Sequence, residues 1–346
     1  MSRLASKVTC TIDLDVTGLH RGFLQIPHSV HRSAYGQILV PIISIKNGRG
    51  PTILLTAGVH GDEYEGQVVL SELAKTLAPE AVTGQLILLP AVNSPAAQAG
   101  LRVSPIDDLN LNRCFPGDAN GSPTKMLADF LEQSVFPRVD YHIDLHSGGT
   151  SLEYLPLALL RSNAIKTHGD VVLTLAKTFA APITLVTESP TGYADETIAG
   201  AAERNAVPCL MSELGGGGRI SRAALKLGVD GIERALAHLS IIENSKSKNT
   251  VPTTQFMRLD KPQYYCYAEN TGVFEPLFDL GDRVIKGQEA GRIHYPEKPW
   301  KASKTINFDE DGIAVCKRAL GRIMPGDCLY HLAGYIESES ELLGLW

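Results

Sequence analysis

Three side chains, His60, Glu63 and His146, are of the residue types that build a catalytic metal site. His60 and Glu63 form a His-x-x-Glu pair, and His146 closes the later run Tyr141-His-Ile-Asp-Leu-His146. Catalytic zinc takes three protein ligands from His and Asp/Glu and keeps one position for water. A His-x-x-Glu pair alone arises often by chance, so its surroundings decide. The pair follows Thr52-Ile-Leu-Leu-Thr-Ala57, an apolar run that stops at Gly58 and reads as a buried strand leaving into a turn. His146 likewise ends an apolar strand, Val139 to Leu145, and is followed by Ser147-Gly148-Gly149. Asp144, two residues before His146, lies on the same side of that strand. There it can accept the spare ring N–H of a ligand histidine. His142 shares that face but sits deeper in the strand, where a packing role suits it better.

Two further stretches carry chemistry. Arg102 to Gly117 is rich in turn formers around Asn112 and Arg113, and binding residues concentrate on such loops. An arginine fork suits a carboxylate, although an isolated arginine more often makes a surface salt bridge. The second stretch, Val207-Pro-Cys-Leu-Met-Ser-Glu213-Leu-Gly215-Gly-Gly-Gly218, puts a glutamate at the end of an apolar run with open backbone after it. A carboxylate beside a metal site can act as general base and hand the proton to a leaving amine. No Lys-Ser/Thr follows the four glycines, so a phosphate-binding P-loop is rejected.

The elements that must position these groups alternate. Ile38 to Ile45, Thr52 to Ala57, Gln85 to Leu89 and Val139 to Leu145 read as strands. Gly66 to Leu77, Lys125 to Val135, Val171 to Phe179, Asp195 to Arg204 and Leu225 to Leu239 read as helices. This predicts an α/β fold with a mostly parallel sheet, helices on both faces, and a site at the carboxyl ends of the strands. The polar stretch Ser245 to Thr254 marks a boundary, giving a hydrolase domain over 1–250 and a small β domain over 251–346. A net charge of −6 without any dense basic run argues against nucleic acid, and no segment has the length of a membrane span. Six scattered cysteines without a CxxC pair, and a start without an apolar leader, fit reduced thiols in the cytoplasm.

Taken in order, Gly58-Val-His60-Gly-Asp-Glu63, Asn110-Leu-Asn112-Arg113-Cys-Phe-Pro-Gly117, Asp144-Leu-His146 and Glu213 resemble the succinylglutamate desuccinylase/aspartoacylase family. That family is a branch of the zinc carboxypeptidase-like enzymes, and the likeness covers nearly the whole chain. It implies a zinc carboxypeptidase-like mixed sheet flanked by helices and a C-terminal β domain of barrel-sandwich type. It further implies one zinc per chain on His60, Glu63 and His146, Glu213 as general base and Arg102 as the carbonyl-polarising arginine. Asn112 and Arg113 are implied as binders of the substrate α-carboxylate. Arg21 to Pro27, His60 to Gly66, Glu213 to Gly218 and Thr271 to Gln288 are closer to the bacterial members that deacetylate N-alpha-acetyl-2,4-diaminobutyrate in ectoine breakdown. The last of these segments also looks like biotinyl and lipoyl carriers, but it lacks their Met-Lys-Met hairpin, so no cofactor is expected on Lys286.

The expected partner is therefore a small N-acyl amino acid, and the sequence leaves homo-oligomer formation open. Thr187 to Glu196, a stretch expected to border the pocket, offers Glu188, Asp195 and Glu196 and no basic residue. These acids suit a substrate with a free ammonium, or else Asp195 and Glu196 cap the helix that starts there. A deacylase of a dicarboxylic substrate, a metallocarboxypeptidase and a metal-binding scaffold remain the alternatives.

Overall fold

The computed structural model describes residues 5–187, 194–243 and 252–344. The first ten strands are β1 (Thr9–Cys10), β2 (Gly18–Pro27), β3 (Gln37–Asn47), β4 (Thr52–Ala57), β5 (Gly84–Leu89), β6 (Tyr141–His146), β7 (Leu152–Tyr154), β8 (Leu157–Arg161), β9 (Ile183–Thr187) and β10 (Cys209–Glu213). Between them run helices α1 (Tyr64–Thr76), α2 (Ser94–Ala99), α3 (Pro123–Phe130), α4 (Ser162–His168), α5 (Asp170–Phe179) and α6 (Ile198–Arg204), and α7 (Arg222–His238) follows β10.

β4 explains why the centre of the sheet is read so easily from sequence. Its residues are apolar without alternation because both faces are covered. Ile53 and Leu55 join a core with Val69 and Leu70 of α1, Leu173 of α5 and Ile232 of α7. Leu54 joins the opposite core with Met126 and Leu127 of α3 and Ile198 of α6. β5, β4, β6 and β10 lie side by side and parallel. On one side β3 runs antiparallel to β5 and pairs antiparallel with β2; on the other β8 runs antiparallel to β10. The sheet is thus mixed rather than mostly parallel. The loop over 28–36 returns β3 directly alongside β2, which requires no crossover helix. Strands β2, β8 and β9 add to those expected from sequence.

Pro252 is the first described residue after the expected boundary, and Ser245 to Val251 lie outside the described residues. The following strands are β11 (Gln255–Leu259), β12 (Tyr265–Tyr267), β13 (Gly272–Pro276), β14 (Arg283–Val284), β15 (Glu289–His294), β16 (Lys304–Asn307), β17 (Gly312–Arg318), β18 (Arg322–Ile323) and β19 (Cys328–Tyr335), before a last helix α8 (Glu339–Gly344). β11 pairs parallel with β9 and antiparallel with β19, so the main sheet continues through these strands to reach fifteen. β16, β15, β13 and β18 form a second sheet, and Phe274, Phe308, Tyr330 and Leu332 fill the core between. Among the described residues no helix is long and apolar enough to cross a membrane, and the six cysteines are free.

Candidate active site

Three neighbouring parallel strands deliver the site. β4 ends at Ala57, Gly58 turns the chain with φ of +68°, and His60 and Glu63 follow before α1 begins. His146 is the last residue of β6 and Glu213 the last of β10, and the two are direct neighbours across the ladder. Gly61 has a steric task as well, since a Cβ there would lie 1.9 Å from the Ala96 carbonyl carbon of α2. The carboxyl ends of the strands therefore gather all four side chains, as the alternating pattern predicts.

Donor atoms of His60, Glu63 and His146 lie within 4.8 Å of one another, and all three residues are buried. Glu63 sits between the rings: Oε1 is 2.6 Å from His60 Nδ1 and Oε2 is 2.8 Å from His146 Nδ1. Each ring has an acceptor behind its other nitrogen. His146 Nε2 lies 2.7 Å from Asp144 Oδ2, and His60 Nε2 lies 3.1 Å from Asn110 Oδ1. With these acceptors behind Nε2, Nδ1 of both rings is the atom turned toward Glu63 and the one that would ligate a metal. Two imidazole nitrogens and a carboxylate at this spacing suit zinc bonds of about 2.0–2.2 Å, with a fourth position left over. The residues fit the ion.

Electrostatics favour a cation here. Burial pushes Glu63 up, but His60 and His146 outweigh it and hold the carboxylate ionised well below its ordinary range. Burial also opposes charge on His146, yet Asp144 and Glu63 raise it well above its ordinary value. Glu213 behaves differently. Burial, then the neighbouring Glu63 charge, push it up to about 8. Its Oε2 is enclosed without a hydrogen-bond partner. Arg102 stands at the open side, with one guanidinium nitrogen 3.4 Å from His60 Nδ1 and 3.5 Å from Glu63 Oε1.

Asn112 and Arg113 occupy one 3-10 turn, Leu111–Arg113, whose cap is Asn110. The turn reaches the donor set through the bond between Asn110 and His60. Asn112 Oδ1 accepts the Ile198 N–H at 2.8 Å at the start of α6, and Arg113 donates to the Asn112 carbonyl at 2.5 Å. His142 is the packing histidine, bonded to Thr56 Oγ1 at 2.8 Å and to Cys209 Sγ at 3.3 Å. The sequence reading missed Asn110 and Thr56, the latter donating to Asp144 Oδ1 at 2.5 Å. Thr56 was visible as a hydroxyl near the end of an apolar strand, whereas nothing local links Asn110 to His60.

The four glycines after Glu213 serve as a clasp. Gly215 to Gly218 all have positive φ, and a Cβ on Gly216 would meet the Leu152 carbonyl oxygen at 2.3 Å. Glu188 lies outside the described residues. Asp195 is 93% exposed in its side chain and lies 3.9 Å from Arg161. α6 begins at Ile198 rather than near Asp195, and Thr197 caps it by accepting the Gly200 N–H, so neither acid fills the capping position.

Known proteins match this architecture closely. Residues 49–239 match the succinylglutamate desuccinylase/aspartoacylase catalytic domain. The N-alpha-acetyl-L-2,4-diaminobutyric acid deacetylase of Halomonas elongata is 36% identical over 335 residues, covering 96% of each chain. A succinylglutamate desuccinylase/aspartoacylase crystal structure from Rhodobacter sphaeroides superposes with a TM-score of 0.89 at 36% identity, covering 96% of this chain and 100% of the other. The product-bound ectoine utilization protein EutE (DoeB) from Ruegeria pomeroyi gives a TM-score of 0.90 at 35% identity with the same coverage. The chain belongs to the succinylglutamate desuccinylase/aspartoacylase family, whose members hydrolyse amide bonds to remove acyl groups.

Proposed function

We propose that this protein is a zinc-dependent deacylase that releases acetate from an N-acetyl amino acid, with N-alpha-acetyl-2,4-diaminobutyrate as its substrate. The observation that carries the proposal is the placement of Glu213, half-open and with one oxygen unpartnered, beside a His-Glu-His donor set at adjoining strand ends. A structural zinc site closes with four ligands and has no use for such a neighbour.

Zinc held by His60, Glu63 and His146 supplies a Lewis acid for the acyl carbonyl and the attacking water. Glu213, next to His146 across the ladder and with Oε2 unpartnered, takes the water proton and hands it to the leaving amine. Arg102 faces the donor atoms from the open side, where negative charge develops on the acyl oxygen. Arg113, with Asn112 beside it, grips the α-carboxylate and presents the amide in one register. The diaminobutyrate preference is supported by the likeness to the Halomonas enzyme and to the ectoine utilization protein. In this reading the partner is a small molecule, neither nucleic acid nor membrane, and the enzyme is cytoplasmic. The segment over 251–346 then acts as a barrel-sandwich module beside the hydrolase domain over 1–250.

Side-by-side specificity constants for N-acetyl-diaminobutyrate, N-acetyl-aspartate, N-succinyl-glutamate and a short peptide test the proposal, with zinc removed by chelation as control. Tenfold better turnover of a dicarboxylic substrate, about 1.4 kcal/mol of transition-state preference, rejects the diaminobutyrate assignment. Preferred cleavage of the peptide rejects the deacylase, and full activity after metal removal rejects the zinc.

A further inference from the structure

β7 joins the C-terminal strands to the loop that follows the base. On one side, the Tyr154 N–H donates to the Gly215 carbonyl at 3.0 Å, and the Gly217 N–H donates to the Leu152 carbonyl at 2.9 Å. On the other side β7 pairs antiparallel with β17, Tyr154 lying opposite Cys316. The Tyr154 hydroxyl is 3.0 Å from His331 Nδ1 on β19. Edge-on packing against Tyr154 and Tyr265 fixes the His331 ring. Burial holds His331 down to about 4, so the imidazole is neutral at ordinary pH and either takes the phenol hydrogen bond or donates one. Burial raises the Tyr154 phenol well above its ordinary value, and Glu213 is among the charges that add to this. No step of the proposed reaction uses this pair.

We infer that Tyr154 is a positioning residue for Glu213, held by His331 and β17, so that the C-terminal strands set the geometry of the base. The inference rests on the reaction proposed above and goes further into the same site. A loop of four glycines with positive φ has little stiffness of its own. It is braced by the three-residue strand β7, and β7 is braced by β17 and by the Tyr154 hydroxyl. Without that hydroxyl, β7 keeps its backbone bonds but loses its side-chain tether to β19. Glu213 is held in β10 between His146 of β6 and Leu157 of β8, so the lost brace acts on its loop side alone; the small displacement of its carboxylate that follows slows chemistry more than it weakens substrate binding.

The test compares zinc-loaded wild type, Tyr154→Phe, His331→Gln and the double variant on N-acetyl-diaminobutyrate. Tyr154→Phe is expected to lower kcat about tenfold while KM stays within about twofold, the pattern of a lost transition-state contribution. Zinc content should be unchanged, and the double variant no slower than the slower single one, because both changes cut the same tether. A second readout is independent of turnover: Tyr154→Phe must shift the Nδ1 resonance of His331 in ring-nitrogen NMR. An active wild type with Tyr154→Phe within about twofold of it in kcat, multiplicative losses in the double variant, or an unmoved His331 resonance overturns the inference alone. A wild type inert toward every N-acyl amino acid overturns the proposed reaction and this inference with it.

Discussion

Asp144→Asn separates the charge behind His146 from the shape of the group that carries it. The native carboxylate is fully buried, with Oδ2 2.7 Å from His146 Nε2 and Oδ1 accepting the Thr56 hydroxyl at 2.5 Å. Asparagine fills the same space. Its oxygen can still accept from His146, and its NH2 can donate to Thr56, whose hydroxyl is free to accept. Only the negative charge disappears, and with it the extra basicity that a carboxylate lends a ligand imidazole. Partners of this kind are worth about 10- to 100-fold in metal affinity, roughly 1.4–2.7 kcal/mol. Asn110→Ala removes the neutral partner of His60 at a longer 3.1 Å, so its cost falls at the lower end, about tenfold. Competition for zinc against a chromophoric chelator at fixed pH, with circular dichroism to verify folding, should rank wild type above Asn110→Ala and Asn110→Ala above Asp144→Asn. If Asp144→Asn holds zinc within about threefold of wild type, about 0.65 kcal/mol, the charge behind His146 has no role in metal binding and the reasoning fails.

Glu213→Gln should keep its zinc and lose about 10²- to 10⁴-fold in kcat; undiminished turnover would move the base elsewhere. His331 has a folded pKa of about 4 against 6.5 when unfolded, so its neutral form stabilises the fold fully above the unfolded value and progressively less as pH falls toward the folded one. Between pH 7 and 5 this costs about 2 kcal/mol, and His142, also held to about 4 by burial, adds a similar share. Urea titrations at the two pH values check this, and His331→Gln should flatten the difference by roughly half. Gly216→Ala forces a Cβ into the Leu152 carbonyl at a φ of +135°, and a stability loss of about 2–4 kcal/mol is expected; a melting temperature equal to wild type would contradict the clasp.

The donor set that the fold gathers was legible because each member announces itself locally. His60 and His146 stand where an apolar run meets glycine, and the two-residue period of a strand places Asp144 behind His146 without any knowledge of the fold. Asn110 was not legible, because it is fifty residues from His60 and only the folded loop brings them together. The same holds for Tyr154 and His331, 177 residues apart. The four glycines were visible as an anomaly, but their purpose depends on the carbonyl of Leu152, which no local pattern reveals. Strand order was hidden for a related reason. Periodicity shows that β11 is a strand, not that it pairs with β9 and carries the main sheet past the expected boundary.

The pairing of β7 with β17 bears on how the protein is made. During synthesis the donor set of His60, Glu63 and His146 and the carboxylate of Glu213 emerge before β11 and β17, so the incomplete chain holds these groups but leaves β7 and the outer side of β9 as open strand edges. Such edges invite pairing with other chains. The nascent polypeptide is then at its most aggregation-prone while its chemical groups are already present; β11 covers the edge of β9 first, and β17 covers β7 only afterwards. A chain terminated before β11 leaves both edges open and should be cleared as insoluble material rather than persist as a weak hydrolase.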